Sequence, residues 1–302
     1  MVKGKSIPDE IAVEGETILN KEWIEKLPLD GIRDIIPVAG GDVNDACRVE
    51  TDAGPAFLLV QPGRSEAFYA AEIAGLKAFE EAGITAPRVI ASGEFDDGAW
   101  LLLTYLQEGS GSQKDLGRMV AKMHQTHQND GMFGFNQPHE GGDISFDNGW
   151  TDSWIELFIT RRMDVLKERI VEKGLWTIKE SETYMKVRDV MTAELEEHSS
   201  APSLLHGDLW AGNYMFLSDG RPALFDPSPL YGDREFDLGA TTVFGGFSGD
   251  FYDAYEAEYP LGEGAWERIR FYRLYLLMVH LAKFGEIYKS SVHGAMQDIL
   301  NE

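Results

Sequence analysis

Apolar positions fall into two regimes along the chain. From 20 to 106 they come as short β-rich runs between turn residues, and beyond 113 they recur mostly at helical spacing. Asn20 is placed to cap a short helix carrying Trp23, Ile24 and Leu27, which Pro28 stops. Ile32 to Val38 predicts a strand ending at Gly40-Gly41. Ala46 to Glu50 predicts a second, and Ala56 to Val60 a third beyond the turn Asp52-Ala53-Gly54-Pro55. Phe68, Ile73, Leu76 and Phe79 predict a helix over 65–82, with Ser65 as N-cap and Gly83 just past its end. Arg88 to Gly93 and Ala99 to Tyr105 predict two more strands joined at Asp96-Asp97-Gly98. The Gly/Ser-rich stretch Gln107 to Gln113 is expected to be a hinge. Helices are predicted over 114–128, 151–173, 179–198, 250–258 and 265–289, with a compact strand-and-loop region over 203–247. The organisation is α+β: a tail (1–19), a small lobe with an antiparallel sheet (20–106) and a larger helical lobe (107–302). A cleft between such lobes is a common place for a ligand.

Composition narrows the function classes. The 302 residues are 43% apolar and 26% charged, an ordinary globular balance. The 51 acidic against 27 basic residues give a formal charge of −24, which opposes general affinity for nucleic acid or anionic membrane. One cysteine, Cys47, excludes an internal disulfide and a cysteine-built zinc site, and it is expected to be a small core residue. The segment Met1 to Glu16 is polar and predicts no secretory signal. No apolar run approaches the roughly 20 residues of a membrane span, so a cytoplasmic protein is expected. Oligomeric state is not legible; a monomer is the simpler expectation.

The sharpest chemical signal is His206-Gly207-Asp208-Leu209-Trp210-Ala211-Gly212-Asn213, followed by Leu224-Phe225-Asp226-Pro227. The first block has the spacing H-x-D-x-x-x-x-N of kinase catalytic loops. Phosphoryl transfer from ATP needs a carboxylate to accept the proton of the attacking hydroxyl, and Asp208 is placed for that. It also needs hard oxygen ligands for Mg2+, which Asn213 and Asp226 supply. Gly40-Gly41-Asp42-Val43-Asn44 is expected at a hairpin tip over the phosphates, with Asn44 as a side-chain donor; an ordinary β-turn explains it as well. Glu72 falls where a kinase keeps the helix glutamate, and a solvated helix charge explains it too. Thr104, Tyr105 and Leu106 are expected to offer backbone groups to adenine. His124 is expected to be structural, His127 and His139 to be exposed. Arg161 and Arg162 either reach the acceptor or brace a loop.

These residues resemble the fructosamine kinase (ketosamine-3-kinase) family, within the protein-kinase-like, aminoglycoside-phosphotransferase-like fold. The resemblance is carried by Leu204 to Asn213, Phe225-Asp226-Pro227, Tyr231-Gly232, Glu235-Phe236-Asp237-Leu238 and Phe244-Gly245-Gly246-Phe247, and runs from about Asn20 to the C-terminus. It implies ATP- and Mg2+-dependent phosphorylation of the sugar C3 hydroxyl of a free or protein-bound ketosamine. By the same resemblance Asp208 is the base, and Asn213 and Asp226 are the metal ligands. His206 supports the loop, and Asp237 braces it by accepting backbone N–H bonds. Trp210 is either a sugar platform or packing under the loop. One departure stands out: Leu59 occupies the strand position where the family keeps the ATP lysine. Either another cation reaches the phosphates, Arg48 and Arg64 being nearest in sequence, or nucleotide binding is impaired. A kinase of this fold with an aminoglycoside- or choline-like acceptor is the other alternative.

Overall fold

A computed structural model describes residues 10–12, 18–38, 45–95, 98–141 and 144–301. Five strands form one antiparallel sheet: β1 (Asp34–Val38), β2 (Asp45–Thr51), β3 (Gly54–Pro62), β4 (Val89–Phe95) and β5 (Gly98–Thr104). Their order is β1-β2-β3-β5-β4. The period-2 alternation of β3 decides what faces the cleft. Ala56, Leu58 and Val60 join Trp23, Ile24, Leu27, Cys47 and Val49 in a core on the outer face. Phe57 and Leu59 point the other way, into a cluster holding Leu76, Phe79, Leu101 and Leu224. Ahead of this sheet, Glu10–Ala12 of the expected tail pairs with Ile18–Asn20, which ends at the expected helix cap, as two short antiparallel strands.

Cys47 is fully buried, and loss of solvent with the nearby Asp45 charge pushes its thiol up to about 12. We expect the native protein to resist a thiol reagent at pH 8 and the unfolded chain to take up one label, because only thiolate reacts. Rapid native labelling would contradict this packing.

The helix after β3 begins later than Ser65. A 3-10 turn, Glu66–Tyr69, precedes α1 (Ala70–Glu81), and Ser65 makes no side-chain cap; its carbonyl accepts the Phe68 N–H at 3.0 Å. The end of α1 is the expected one. Gly83 has φ +67°, Gly83 N–H donates to Glu80 O at 3.0 Å, and Ile84 N–H to Phe79 O at 2.8 Å. The helix lies directly on the segment after Asp226, since a Cβ at Gly75 would stand 2.9 Å from Pro227 and 2.8 Å from Pro229.

The helical part contains α2 (Gln113–His124), a π-helical stretch Glu156–Asp164 running into α3 (Val165–Glu172), and α4 (Ile178–Glu197). It continues with α5 (Glu235–Thr241), α6 (Gly249–Glu258), α7 (Ala265–Phe284) and α8 (Lys289–Leu300). Trp154, Phe158, Phe236, Tyr272 and Tyr275 form its aromatic core. Four expectations are corrected. The 114–128 helix ends at His124 because the chain beyond it pairs with the strand feeding the catalytic loop: Leu204 N–H donates to Thr126 O at 2.8 Å. The 265–289 helix breaks at Gly285 (φ +79°), beyond which α8 starts. The 203–247 region contains α5, buried on every side. The stretch 107–113 is docked rather than free: Gly109 N–H donates to Phe216 O at 2.7 Å, and a Cβ there would lie 2.6 Å from Leu217 O. Among the described residues no helix is long and apolar enough to cross a membrane.

Candidate active site

The chain leaves the short strand Ser203–Leu205 at His206, and Asp237 on α5 fixes the turn into the catalytic loop. Its carboxylate accepts the N–H of His206 at 2.7 Å and of Gly207 at 2.9 Å. The buried His124 ring completes this brace, with Nε2 3.1 Å from Asp237 and Nδ1 2.9 Å from the Tyr255 hydroxyl. His206 is buried, and loss of solvent lowers its pKa. Its Nε2 lies 3.0 Å from Phe225 O, and its Nδ1 accepts the Asp208 N–H at 3.3 Å. Gly207 has φ +81°, and a Cβ there would lie 1.7 Å from Ser228 O. Gly207→Ala is therefore expected to distort the loop and remove activity with the fold largely kept. Wild-type turnover in that variant would contradict the loop geometry.

Asp208 and Asn213 are brought together on this loop. Asn213 Nδ2 donates to Asp208 O at 2.8 Å and to Asp208 Oδ2 at 3.1 Å. Loss of solvent, then the Asp226 charge, pushes the Asp208 carboxyl up to about 7, while Lys283 and the Asn213 bond pull it down. Asp226 opens into the cleft in a left-handed conformation (φ +53°). Loss of solvent raises its pKa, against the His206 and Lys283 charges. Glu72 lies one turn before Gly75 on α1 and so faces the same segment. Its carboxyl is raised by loss of solvent and by Asp226. These donors suit a hard divalent cation: Asn213 spends its amide N–H on Asp208, leaving Oδ1 as a neutral oxygen, and Phe225 N–H donates to Asn213 O at 3.1 Å, one residue before the Asp226 carboxylate.

Trp210, the expected sugar platform, is 38% exposed and meets Phe244 edge-on, with ring centroids 6.3 Å apart. Phe244 also packs on His280 at 4.6 Å and Tyr288 at 6.3 Å. The Phe-Gly-Gly-Phe turn is pinned by Gln113 Nε2, which donates to Gly246 O at 3.1 Å and Tyr214 Oη at 2.8 Å. A Cβ at Gly246 would lie 2.3 Å from the Ala211 Cβ, so the turn sits against the catalytic loop.

The nucleotide side is sparser. Gly40, Gly41 and Asn44 lie outside the described residues. Thr104 is corrected as an adenine contact through its N–H, because that group donates to Arg88 O at 2.9 Å; Tyr105 and Leu106 continue the same backbone. Arg48 is no substitute for the missing lysine. Its guanidinium covers the Tyr105 ring at 4.6 Å and pairs with Glu50 at 2.6 Å. Arg64 lies over Phe68 at 5.7 Å. Arg161 and Arg162 both brace a loop: Arg161 donates to Gly149 O at 2.7 Å, and the buried Arg162 donates to Leu157 O at 2.9 Å and to Asn148. Lys283, which influences both Asp208 and Asp226, stands outside every spacing motif of the sequence.

Comparison with known proteins places the chain in a family. The fructosamine kinase family model matches residues 19–302. A probable ketoamine kinase of Staphylococcus aureus is 62% identical over 285 residues, 94% of this chain and 99% of that protein. The chloroplastic protein-ribulosamine 3-kinase of Arabidopsis thaliana is 32% identical over 289 residues, 93% and 87% of the two chains. A candidate fructosamine-3-kinase of Thermobifida fusca superposes with TM-score 0.80 at 26% identity, over 90% of this chain and 94% of that one. An aminoglycoside phosphotransferase, solved with AMP-PNP and hygromycin B, shares the fold alone, with TM-score 0.64 at 16% identity over 92% and 97%. With a family model spanning all but the first residues and a close relative matched nearly end to end, the chain belongs to the fructosamine kinase family.

Proposed function

We propose that the protein is an ATP- and Mg2+-dependent kinase that phosphorylates the 3-hydroxyl of ketosamines. The observation that carries this is the Asp208–Asn213 pair, a proton acceptor bonded to an amide whose own oxygen stays free, on a loop tied by the Phe225 N–H to the residue before Asp226. Asp208 accepts the proton of the acceptor hydroxyl. Asn213 and Asp226 hold Mg2+, which when bound neutralises the phosphate oxygens. Asp237 and His206 hold the loop in register, and Glu72 faces Asp226 across the cleft. Trp210 offers its exposed face to the C–H face of the ketose. Backbone of Tyr105 and Leu106 receives the adenine edge, and the Gly40-Gly41 turn with Asn44 covers the phosphates.

The acceptor is a ketosamine on a small amine or on a protein lysine, and the chain works as a monomer in the cytoplasm. Leu59 alone favours the second reading, a nucleotide-binding protein with impaired catalysis. One assay separates the two. ADP release from Mg-ATP is followed with ribulose-lysine, erythrulose-lysine and fructose-lysine, beside an aminoglycoside and choline. Turnover with at least one ketosamine and none with the last two is the expected result. Folded protein that turns over no ketosamine would contradict it.

A further inference from the structure

The reaction centre is crowded with carboxylates. The Asp226 charge raises the pKa of both Asp208 and Glu72, and the strand position that would carry a cation is Leu59. The nearest arginines are committed elsewhere: Arg48 to Glu50 and Tyr105, and Arg64 over Phe68. A phosphoryl group in flight spreads negative charge over its equatorial oxygens, and a protein cation beside it is a large part of kinase catalysis.

Lys283 is placed to be that cation. It stands in the last turn of α7, three residues after His280 and so on the same helical face. His280 packs on Phe244 at 4.6 Å, and Phe244 meets Trp210 of the catalytic loop at 6.3 Å, which brings this end of α7 to the acceptor mouth. The Lys283 side chain is exposed and makes no hydrogen bond or ion pair with the described residues. Its positive charge favours the ionised forms of Asp208 and Asp226.

We propose that Lys283 Nζ contacts the oxygens of the phosphoryl group as it passes from ATP to the acceptor, an inference that rests on reading this cleft as a phosphoryl-transfer site. In that step the acceptor O–H proton goes to the Asp208 carboxylate and the new O–P bond forms. The bond from the γ-phosphorus to the β–γ bridging oxygen breaks, and its electron pair leaves with ADP. Lys283 remains protonated throughout.

The test needs no acceptor. Wild-type protein, Lys283→Met and Lys283→Arg are titrated with Mg-ADP, then with Mg-ADP and aluminium fluoride, a mimic of the phosphoryl group in flight. Lys283→Met is expected to bind Mg-ADP within about twofold of wild type. It should lose roughly 100- to 1000-fold in affinity for the aluminium fluoride complex, as removal of one transition-state donor does. Lys283→Arg should keep most of it. Equal gains from aluminium fluoride in wild type and Lys283→Met would overturn the role of Lys283 and leave the kinase reading standing. Wild-type protein that gains nothing from aluminium fluoride would overturn both.

Discussion

Asp208→Asn is expected to lower turnover by about 10²- to 10⁴-fold, the contribution of a positioned general base, without unfolding the protein. Asparagine has the same shape, and its amide oxygen can still accept the Asn213 N–H now bonded to Asp208 Oδ2 at 3.1 Å. It cannot take a proton. The same change should stabilise the metal-free fold at alkaline pH. Because the folded protein pushes the Asp208 carboxyl up to about 7, ionising it there opposes folding. Linkage sets the sign: a carboxyl raised above its unfolded value near 4 costs stability as pH climbs from about 4 to about 7. In EDTA, then, Asp208→Asn should melt above wild type at pH 8, and the gap should close by pH 4. Wild-type turnover in the variant would remove Asp208 as the base. A lower melting point at pH 8 would contradict the electrostatics of the site.

Asp237→Ala carries the largest expected effect on stability. Asp237 is fully buried and serves three groups at once: the N–H of His206, the N–H of Gly207 and Nε2 of His124. Alanine leaves all three without their partner, away from water. A buried donor left without its acceptor costs about 1–3 kcal/mol, so the three together make this a large loss, and turnover should fall with it because the loop carrying Asp208 loses its anchor. Asp237→Asn keeps one acceptor oxygen but presents an NH2 where a donor already sits, so it should fall between wild type and alanine. Urea unfolding of the three proteins reads this directly. An alanine variant with an unchanged midpoint would mean that the loop is held by other contacts.

Much of this was legible in the sequence for physical reasons. Period-2 runs delivered the five sheet strands, and the spacing of Phe68, Ile73, Leu76 and Phe79 delivered α1 with its glycine stop. That Asp208 and Asn213 come together was legible because they lie five residues apart on one loop. What escaped depends on tertiary neighbours. The helix α5 is buried on every side and leaves no polar face to mark its period. Gly285 looks like any helix glycine until its φ of +79° is seen. Thr104 reads as a hinge donor, but its N–H is taken by Arg88 O, whose own strand begins beside it. Arg48 looks like a candidate phosphate ligand in sequence, yet Glu50 and Tyr105 hold it. Lys283 lies far along the chain from Asp208, and only the turn of α7 toward Phe244 brings it to the cleft.

The most direct test of the central claim is the position of the new phosphate. The protein is incubated with Mg-ATP and ribulose-lysine, erythrulose-lysine or fructose-lysine, and the product is analysed by phosphorus–proton correlated NMR. The account predicts one phosphate per ADP, coupled to the proton on C3 of the sugar, and no product with Asp208→Asn. A phosphate on another hydroxyl, or ADP formed with no phosphorylated ketosamine, would contradict it.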